Sequence, residues 1–312
     1  MNINNYIVST SEKNDMPAVH IVNWPVQNVL AFTTTRFPPV THHASAILSA
    51  TSSNDETCID QAYSSFNLGL HVGDNSAKVN ENRDVLLQFL QQKKHSAAFK
   101  QLTSDELADT VSNSHINIQW FDQVHSADVV EVNKYKPISI TADAAITRDK
   151  NIALAIMTAD CLPILLAADD GSEVAAIHGG WRPLSNSIIA NTVNKMKTIP
   201  AKLCAWLGPC IGAESFEVGP EVREYFIQKN RLFTEAFKAV SYCRAEGIAE
   251  EKNFEQDNSP KQKYLANLHM IARIQLEQLG ITHISALAHC TYQRQVEYYS
   301  YRRESKQAVW LR

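Results

Sequence analysis

The sequence predicts an α+β fold, on three observations. Short strand-like apolar runs recur at small separations through the middle of the chain, stretches of helical periodicity lie on either side, and no repeat or linker divides it. Strict βαβ alternation is missing, so hairpins and mixed sheet are expected in place of a doubly wound parallel sheet. The organisation that follows is a single domain over residues 1–312 with two surface insertions.

The first strand-like run is Val-Leu-Ala-Phe-Thr-Thr at 29–34, ending at Arg36. Residues 38–60 are rich in Ser, Thr, Pro and His without periodicity and read as the first insertion. His42 and His43 fall inside it and read as solvated. Asn75 or Ser76 caps a helix over about 77–93, because Val79, Val85, Leu86, Phe89 and Leu90 roughly share one face. A polar connector occupies 94–116. Strands are then expected at 117–121, 128–132, 153–157, 163–167 and 174–178. Helical spacing returns over 184–199, closed by Pro200, and over 264–279, closed by Gly280 as a C-terminal cap. Between these helices, 244–263 is charged and turn-rich and reads as the second insertion.

A net charge of −4 on 312 residues gives no electrostatic reason to expect nucleic acid or an anionic membrane as partner. A small anionic substrate remains compatible, since a local cationic pocket does not show in a total. The N-terminus lacks the basic and then apolar regions of a secretory signal. The most apolar window, 152–168, carries Asp160 and Pro163 and falls short of a bilayer span; two strands around a polar site explain it better. Cys58, Cys161, Cys204, Cys210, Cys243 and Cys290 are too scattered for a disulfide scaffold. A cytoplasmic protein with reduced thiols, monomeric or homodimeric, is the expectation.

Three residues stand where a metal site would be assembled. His125, Cys161 and His178 each end an apolar run, in Asp-Gln-Val-His, Thr-Ala-Asp-Cys and Ala-Ile-His-Gly-Gly. One thiolate and two imidazoles suit zinc or copper, and three protein ligands leave a position open for water or substrate. Their spacings of 36 and 17 residues are too wide for a local finger, so the fold must bring them together. Taken residue by residue, a packed thiol and two hydrogen-bonded histidines would read the same way.

Asp160 precedes Cys161 inside an apolar run and needs partners; it either orients a ligating imidazole or accepts backbone amides. Arg36, Arg182 and Arg302 emerge from apolar or aromatic surroundings, where an arginine binds phosphate or closes a structural ion pair. Cys210 and Cys290 read as packed thiols. No GxGxxG, GxSxG or HExxH pattern and no Walker phosphate loop occurs.

In order along the chain stand Thr-Thr-Arg (34–36), Phe-Asn-Leu-Gly (66–69), His-Val-Gly-Asp (71–74), Gln-Val-His (123–125), Thr-Ala-Asp-Cys-Leu-Pro (158–163), His-Gly-Gly-Trp-Arg (178–182), Gly-Pro-Cys-Ile-Gly (208–212), Phe-Glu-Val-Gly (216–219), His-Cys-Thr (289–291) and Tyr-Ser-Tyr-Arg-Arg (299–303). Together they resemble the YfiH-type laccase-domain family, long labelled multicopper polyphenol oxidases and now understood as purine nucleoside phosphorylases with adenosine deaminase activity. The resemblance implies a four-layer α/β/β/α sandwich and places metal ligation on His125, Cys161 and His178. It implies phosphorolysis of adenosine, inosine and methylthioadenosine, with purine nucleosides and phosphate as partners. Departures occur after Arg36, where Phe37-Pro38-Pro39-Val40 replaces a Gly-Gly-Val-Ser stretch, and at Gly179 and Pro183, which replace an alanine and a glycine.

On this reading an arginine holds phosphate, Arg36 first and Arg302 second, with Asn67 and Asp160 as further substrate-side candidates. Deamination of adenosine would use a zinc-activated water, with Asp160 or Asp143 moving the proton. Copper-dependent polyphenol oxidation and peptidoglycan-editing hydrolysis are the rival readings. The first is disfavoured because no HxH pair occurs.

Overall fold

A computed structural model describes residues 17–26, 28–39, 63, 65–94, 115–241 and 262–304. Most of the two expected insertions (40–60 and 244–261), together with His42, His43, Cys58 and Cys243, lies outside the described residues. The first described elements are β1 (Val19–Ile21) and β2 (Phe32–Thr34), an antiparallel pair, and the next is helix α1 (Ser76–Lys94). Then come β3 (Asn117–Gln119), β4 (Phe121–Asp122), β5 (Val129–Glu131), β6 (Ile140–Thr141) and β7 (Ala144–Thr147). Strands β8 (Ile152–Leu154), β9 (Leu162–Ala168) and β10 (Val174–Gly179) lead into helices α2 (Trp181–Ser185) and α3 (Ile188–Lys195). The remainder is β11 (Leu203–Leu207), β12 (Glu217–Val218), α4 (Pro220–Ile227), β13 (Phe237–Ala239), β14 (Tyr264–Ala266), α5 (Leu268–Gln278), β15 (His283–Ala286) and α6 (Tyr301–Glu304).

The centre is a six-stranded mixed sheet in the order β15-β11-β9-β10-β7-β5. Strand β9 is buried on both faces, and its alternation sorts two cores. Leu162, Ile164 and Leu166 join Ile177, Ala205 and Leu207 under the helices, against Leu184, Ile188, Ile189, Phe226, Ile271 and Leu276. Leu165 points the other way and meets Val22, Ala31 and Trp206, while Ala167 meets Val26 and Cys204. Farther out, Leu86, Phe89 and Leu90 of α1 pack on Phe32, Ile118 and Ala153. The fold is therefore mixed, with helices on both sides of β structure. Among the described residues, the strands packed under α1 are the two-stranded pairs β1-β2 and β3-β8, while the pair β4-β6 packs with Val130, Val132 and Ala145.

Local sequence explains most boundaries. The Asn75 side chain accepts from Ala77 N and Lys78 N at 2.9 and 3.2 Å and so starts α1. Two expected helices differ. The run expected over 184–199 is broken at Ser187, which takes a left-handed conformation with φ 66°, giving α2 and α3. The first turn of the run expected over 264–279 is strand: Tyr264–Ala266 pairs with β12 and β13 on either side. The helix starts only after Asn267, whose side chain caps Met270 N at 3.0 Å. In the second case strand pairing overrides helical periodicity. No helix among the described residues is long and apolar enough to cross a membrane.

Leu166 has no exposed surface in the middle of the central strand. Leu166→Ala is expected to cost about 2–5 kcal/mol, read as a fall in the urea midpoint at unchanged slope.

Candidate metal centre

Strand register turns wide sequence spacing into adjacency. Strands β9 and β10 are antiparallel with Gly179 opposite Leu162, so Cys161, just before β9, lies beside Gly180. Strand β7 runs antiparallel to β10 with Ala144 opposite Ile177, which sets Asp143 against His178; His178 N donates to Asp143 O at 2.8 Å. Strand β5 is parallel to β7 and starts at the same level, so the loop carrying His125 arrives at this end of the sheet. His125, Cys161 and His178 thus meet, with their donor atoms all within 4.8 Å of one another. Cys161 Sγ is 3.8 Å from His125 Nε2, and the two imidazole rings meet edge to face at 4.7 Å. Tetrahedral zinc with bonds near 2.0–2.3 Å holds its ligands roughly 3.3–3.6 Å apart, so only small movements separate this arrangement from a coordinated one. The donor set fits such an ion.

Asp143 organises the set. It is fully buried, and its carboxylate accepts His178 Nδ1 at 2.7 Å, leaving Nε2 to face the thiol. The same carboxylate accepts Val124 N, His125 N, Ser126 N and Ser126 Oγ at 2.7–3.2 Å. These bonds hold His125 in a left-handed conformation with φ 59°, which a bulky side chain does not adopt unaided. Gln123 joins the two loops: its Nε2 donates to Met157 O and its Oε1 accepts from Met157 N, both at 2.8 Å. Gly180 supplies space, since a Cβ there would stand 3.0 Å from Cys161 Sγ and 3.2 Å from His125 Cδ2.

Electrostatics favour a thiolate. Burial raises the Cys161 pKa, but hydrogen bonds and charge from His125 and His178 outweigh it and bring the thiol from 9.0 down to about 7. Burial lowers the His178 pKa, yet Asp143 and the Cys161 sulfur lift it from 6.5 to about 9. Burial opposes ionisation of Asp143, while His178 and Ser126 hold its pKa below the ordinary carboxylate value. The metal-free site is therefore a carboxylate, an imidazolium and a part-ionised thiol in line. Metal entry must expel the His178 Nε2 proton.

The other sequence candidates divide. Asp160 does not touch the imidazoles: it accepts Thr291 Oγ1 at 2.7 Å, Ser300 Oγ at 3.1 Å and Arg302 N at 2.7 Å, and its own φ is 97°. Orienting a histidine, one of two roles open to Asp160, belongs to Asp143. That aspartate, alone among small apolar residues in Ala-Asp-Ala-Ala (142–145), was the available signal. Arg36 is buried behind the site. Its Nη1 donates to Gln295 O at 3.2 Å and Glu304 Oε1 at 3.4 Å, and it stacks 4.6 Å from the Tyr299 ring centre. Asn67 closes its own turn on Gly69 and Asp74. Arg302 donates to Glu217 O at 3.0 Å. Cys210 is buried, as expected, and burial pushes its thiol far up, while Cys290 is half-buried with its sulfur accepting Gly212 N at 3.1 Å.

A cleft of about 1140 Å³ opens over the triad and is lined by His125, Cys161 and His178 together with Arg182, Arg302 and Trp181. Asn67 and Asp160 also line it, whereas Arg36 is not among its lining residues.

An α+β fold that gathers one thiol and two imidazoles at a sheet end, beside an open cleft, defines a protein with a candidate metal site facing a small-molecule cleft. The chain belongs to the family described as multi-copper polyphenol oxidoreductase laccase, which matches residues 49–309, and is of YfiH type. It is 33% identical over 289 residues to the purine nucleoside phosphorylase of Haemophilus influenzae, covering 91% of this chain and 93% of that one. Purine nucleoside phosphorylase YfiH of Shigella flexneri is 34% identical over 254 residues, covering 80% and 87%. The crystal structure of Neisseria meningitidis protein NMB0706 superposes with a TM-score of 0.68 at 30% identity, covering 92% and 94%.

Two outcomes test the centre. Asp143→Asn places an amide among five donors and should lower zinc affinity about 10–100-fold, measured by competition with a chromophoric chelator. In metal-stripped protein, iodoacetamide should alkylate Cys161 with a rate that is half-maximal near pH 7. The thiolate fraction rises with pH, so a depressed pKa moves the profile to lower pH; peptide mass spectrometry reads the site, and a midpoint near 9 would remove the electrostatic reading.

Proposed function

We propose that this protein is a purine nucleoside phosphorylase that cleaves adenosine, inosine and methylthioadenosine with phosphate. The observation that carries the reading is the convergence of an open metal-ligand triad, two arginines and an aromatic ring in one cleft. The cleft places Trp181, Arg182 and Arg302 on the same wall as the triad, so an anion and a flat ring can be held beside it. The relatives named purine nucleoside phosphorylase give independent support.

In the reaction a phosphate oxygen bonds to the anomeric carbon, the bond to the purine nitrogen breaks, and the purine departs with a proton. The transition state has oxocarbenium character. Arg182, stacked 4.4 Å from the Trp181 ring centre, and Arg302 are the arginines that line the cleft. Each has guanidinium donors for a phosphate oxygen. Arg36 is assigned a supporting role through Tyr299 and Glu304 rather than the phosphate contact. His125, Cys161 and His178 would hold a divalent ion, zinc by the preference of this donor set and copper second, supplying Lewis acidity at the cleft wall. Asp143 fixes the His178 tautomer and aims Nε2.

Deamination of adenosine to inosine is a secondary activity of the same cleft. A zinc deaminase also needs a carboxyl that is not a ligand. Asp143 and Asp160 are each saturated by structural hydrogen bonds, which ranks phosphorolysis first.

The decisive assay incubates zinc-loaded protein with each nucleoside, with and without phosphate, and separates products by chromatography. Free base and the sugar 1-phosphate should appear only with phosphate, and inosine from adenosine should form without it. Arg302→Ala should raise the KM for phosphate about tenfold or more, consistent with losing a charge-assisted contact of about 1.5–3 kcal/mol. No phosphate-dependent base release, or equal turnover by Cys161→Ala, would overturn the reading.

A further inference from the structure

A second cluster of ligating side chains closes the seam between β1 and the C-terminal segment. His20 lies on β1, His289 follows β15, and Glu297 precedes α6; one donor atom from each lies within 4.8 Å of the other two. Glu297 Oε1 pairs with His20 Nε2 and stands 3.8 Å from His289 Nδ1, and the two rings meet edge to face at 5.4 Å. The glutamate side chain is 1% exposed. Its Oε2 is 2.6 Å from Arg294 Nε but accepts no hydrogen bond of proper direction.

An ordinary ion pair explains only part of this. His20 satisfies one carboxylate oxygen, and nothing in such a pair calls for a second imidazole. His289 has a hydrogen-bond partner of its own in the Tyr298 hydroxyl, 2.9 Å from Nδ1, and makes no hydrogen bond to the carboxylate. Its distance of 3.8 Å from Oε1 is too long for a hydrogen bond and close to the separation of two ligands on one ion. A buried carboxylate between two imidazoles is a donor set that zinc, and divalent transition ions of similar hardness, accept with water completing the shell.

We propose that His20, His289 and Glu297 form a second metal site, taking a divalent transition ion of the zinc type. On entry the ion replaces the Tyr298 hydroxyl that now sits 2.9 Å from His289 Nδ1. Its consequence is mechanical. Glu297 O accepts Arg36 N at 2.9 Å, and a few residues on, Ser300 and Arg302 anchor Asp160 beside Cys161. An ion here ties β1 to the wall of the cleft without entering it. This site goes beyond the proposed activity and does not depend on it.

The test uses the full chain with the cleft triad disabled, His125→Ala with Cys161→Ala, stripped of metal and titrated with Zn²⁺ by calorimetry and with Co²⁺ by absorption. One Zn²⁺ per chain should bind and raise the unfolding temperature, and Co²⁺ should bind without a thiolate charge-transfer band. Adding His20→Ala or His289→Ala to that background should weaken binding by about tenfold or more, since a direct ligand counts for at least as much as its outer partner. Circular dichroism checks each variant. One whose spectrum departs from the parent is replaced by the glutamine substitution at the same position. Absence of stoichiometric zinc in the triad-disabled chain, or binding unchanged by both histidine substitutions, would overturn the proposal and leave His20–Glu297 an ion pair.

Discussion

Asp143 has no exposed surface and still carries a charge, which is tolerable only because five donors converge on its two oxygens. An isolated buried carboxylate would protonate instead. Four of the donors come from residues 124–126 and the fifth from His178, so one group sets both the strained loop around His125 and the ring orientation of His178. Neither imidazole can move without disturbing the other's support. The site is preorganised through this carboxylate, and the thiol of Cys161 is polarised by rings that Asp143 has already aimed.

The opposite wall repeats the logic with Asp160. Its positive φ costs on the order of 1–3 kcal/mol and is held by Thr291, Ser300 and the Arg302 amide. Thr291, Ser300 and Arg302 belong to the C-terminal segment, which also packs Tyr299 against Arg36. Cys161 is therefore presented by a backbone bend that the far end of the sequence must secure. Arg36 serves this wall from behind, and Arg302 reaches the cleft because its amide is fixed on Asp160.

Patterns were legible where one local force decides. The helix over 76–94 shows its face and its Asn75 cap, and the two apolar runs before and after Cys161 are strands. The strand at Tyr264–Ala266 was not legible, because pairing partners distant in sequence decide it, and the split at Ser187 rests on a single left-handed residue that helical periodicity does not reveal. The ligand triad stood out by residue type alone, yet its geometry depends on the registers of β7, β9 and β10, which no spacing displays. Arg36 and Asp160 illustrate the harder ambiguity. A charged residue inside an apolar run announces that it has partners, but not whether they are substrate or protein. Both turn out to be bonded within the protein. Asp143 was visible by the same sign and carries the role first weighed for Asp160.

The family's oxidase label and its relatives' phosphorylase names make different demands on the ligand set. Multicopper oxidation passes electrons between several coppers, and such clusters draw on many histidines in HxH pairs; this chain has none. What it offers in the cleft is a single three-ligand position with a thiol already shifted toward pH 7 and a neighbouring imidazole that must lose a proton to bind metal. That chemistry polarises and orients, and a wall of arginine and tryptophan beside it can bind an anion and a flat ring. A polarising group next to arginines is compatible with glycosidic cleavage by phosphate, whereas a chain of coppers would need ligands this cleft does not contain among its described residues.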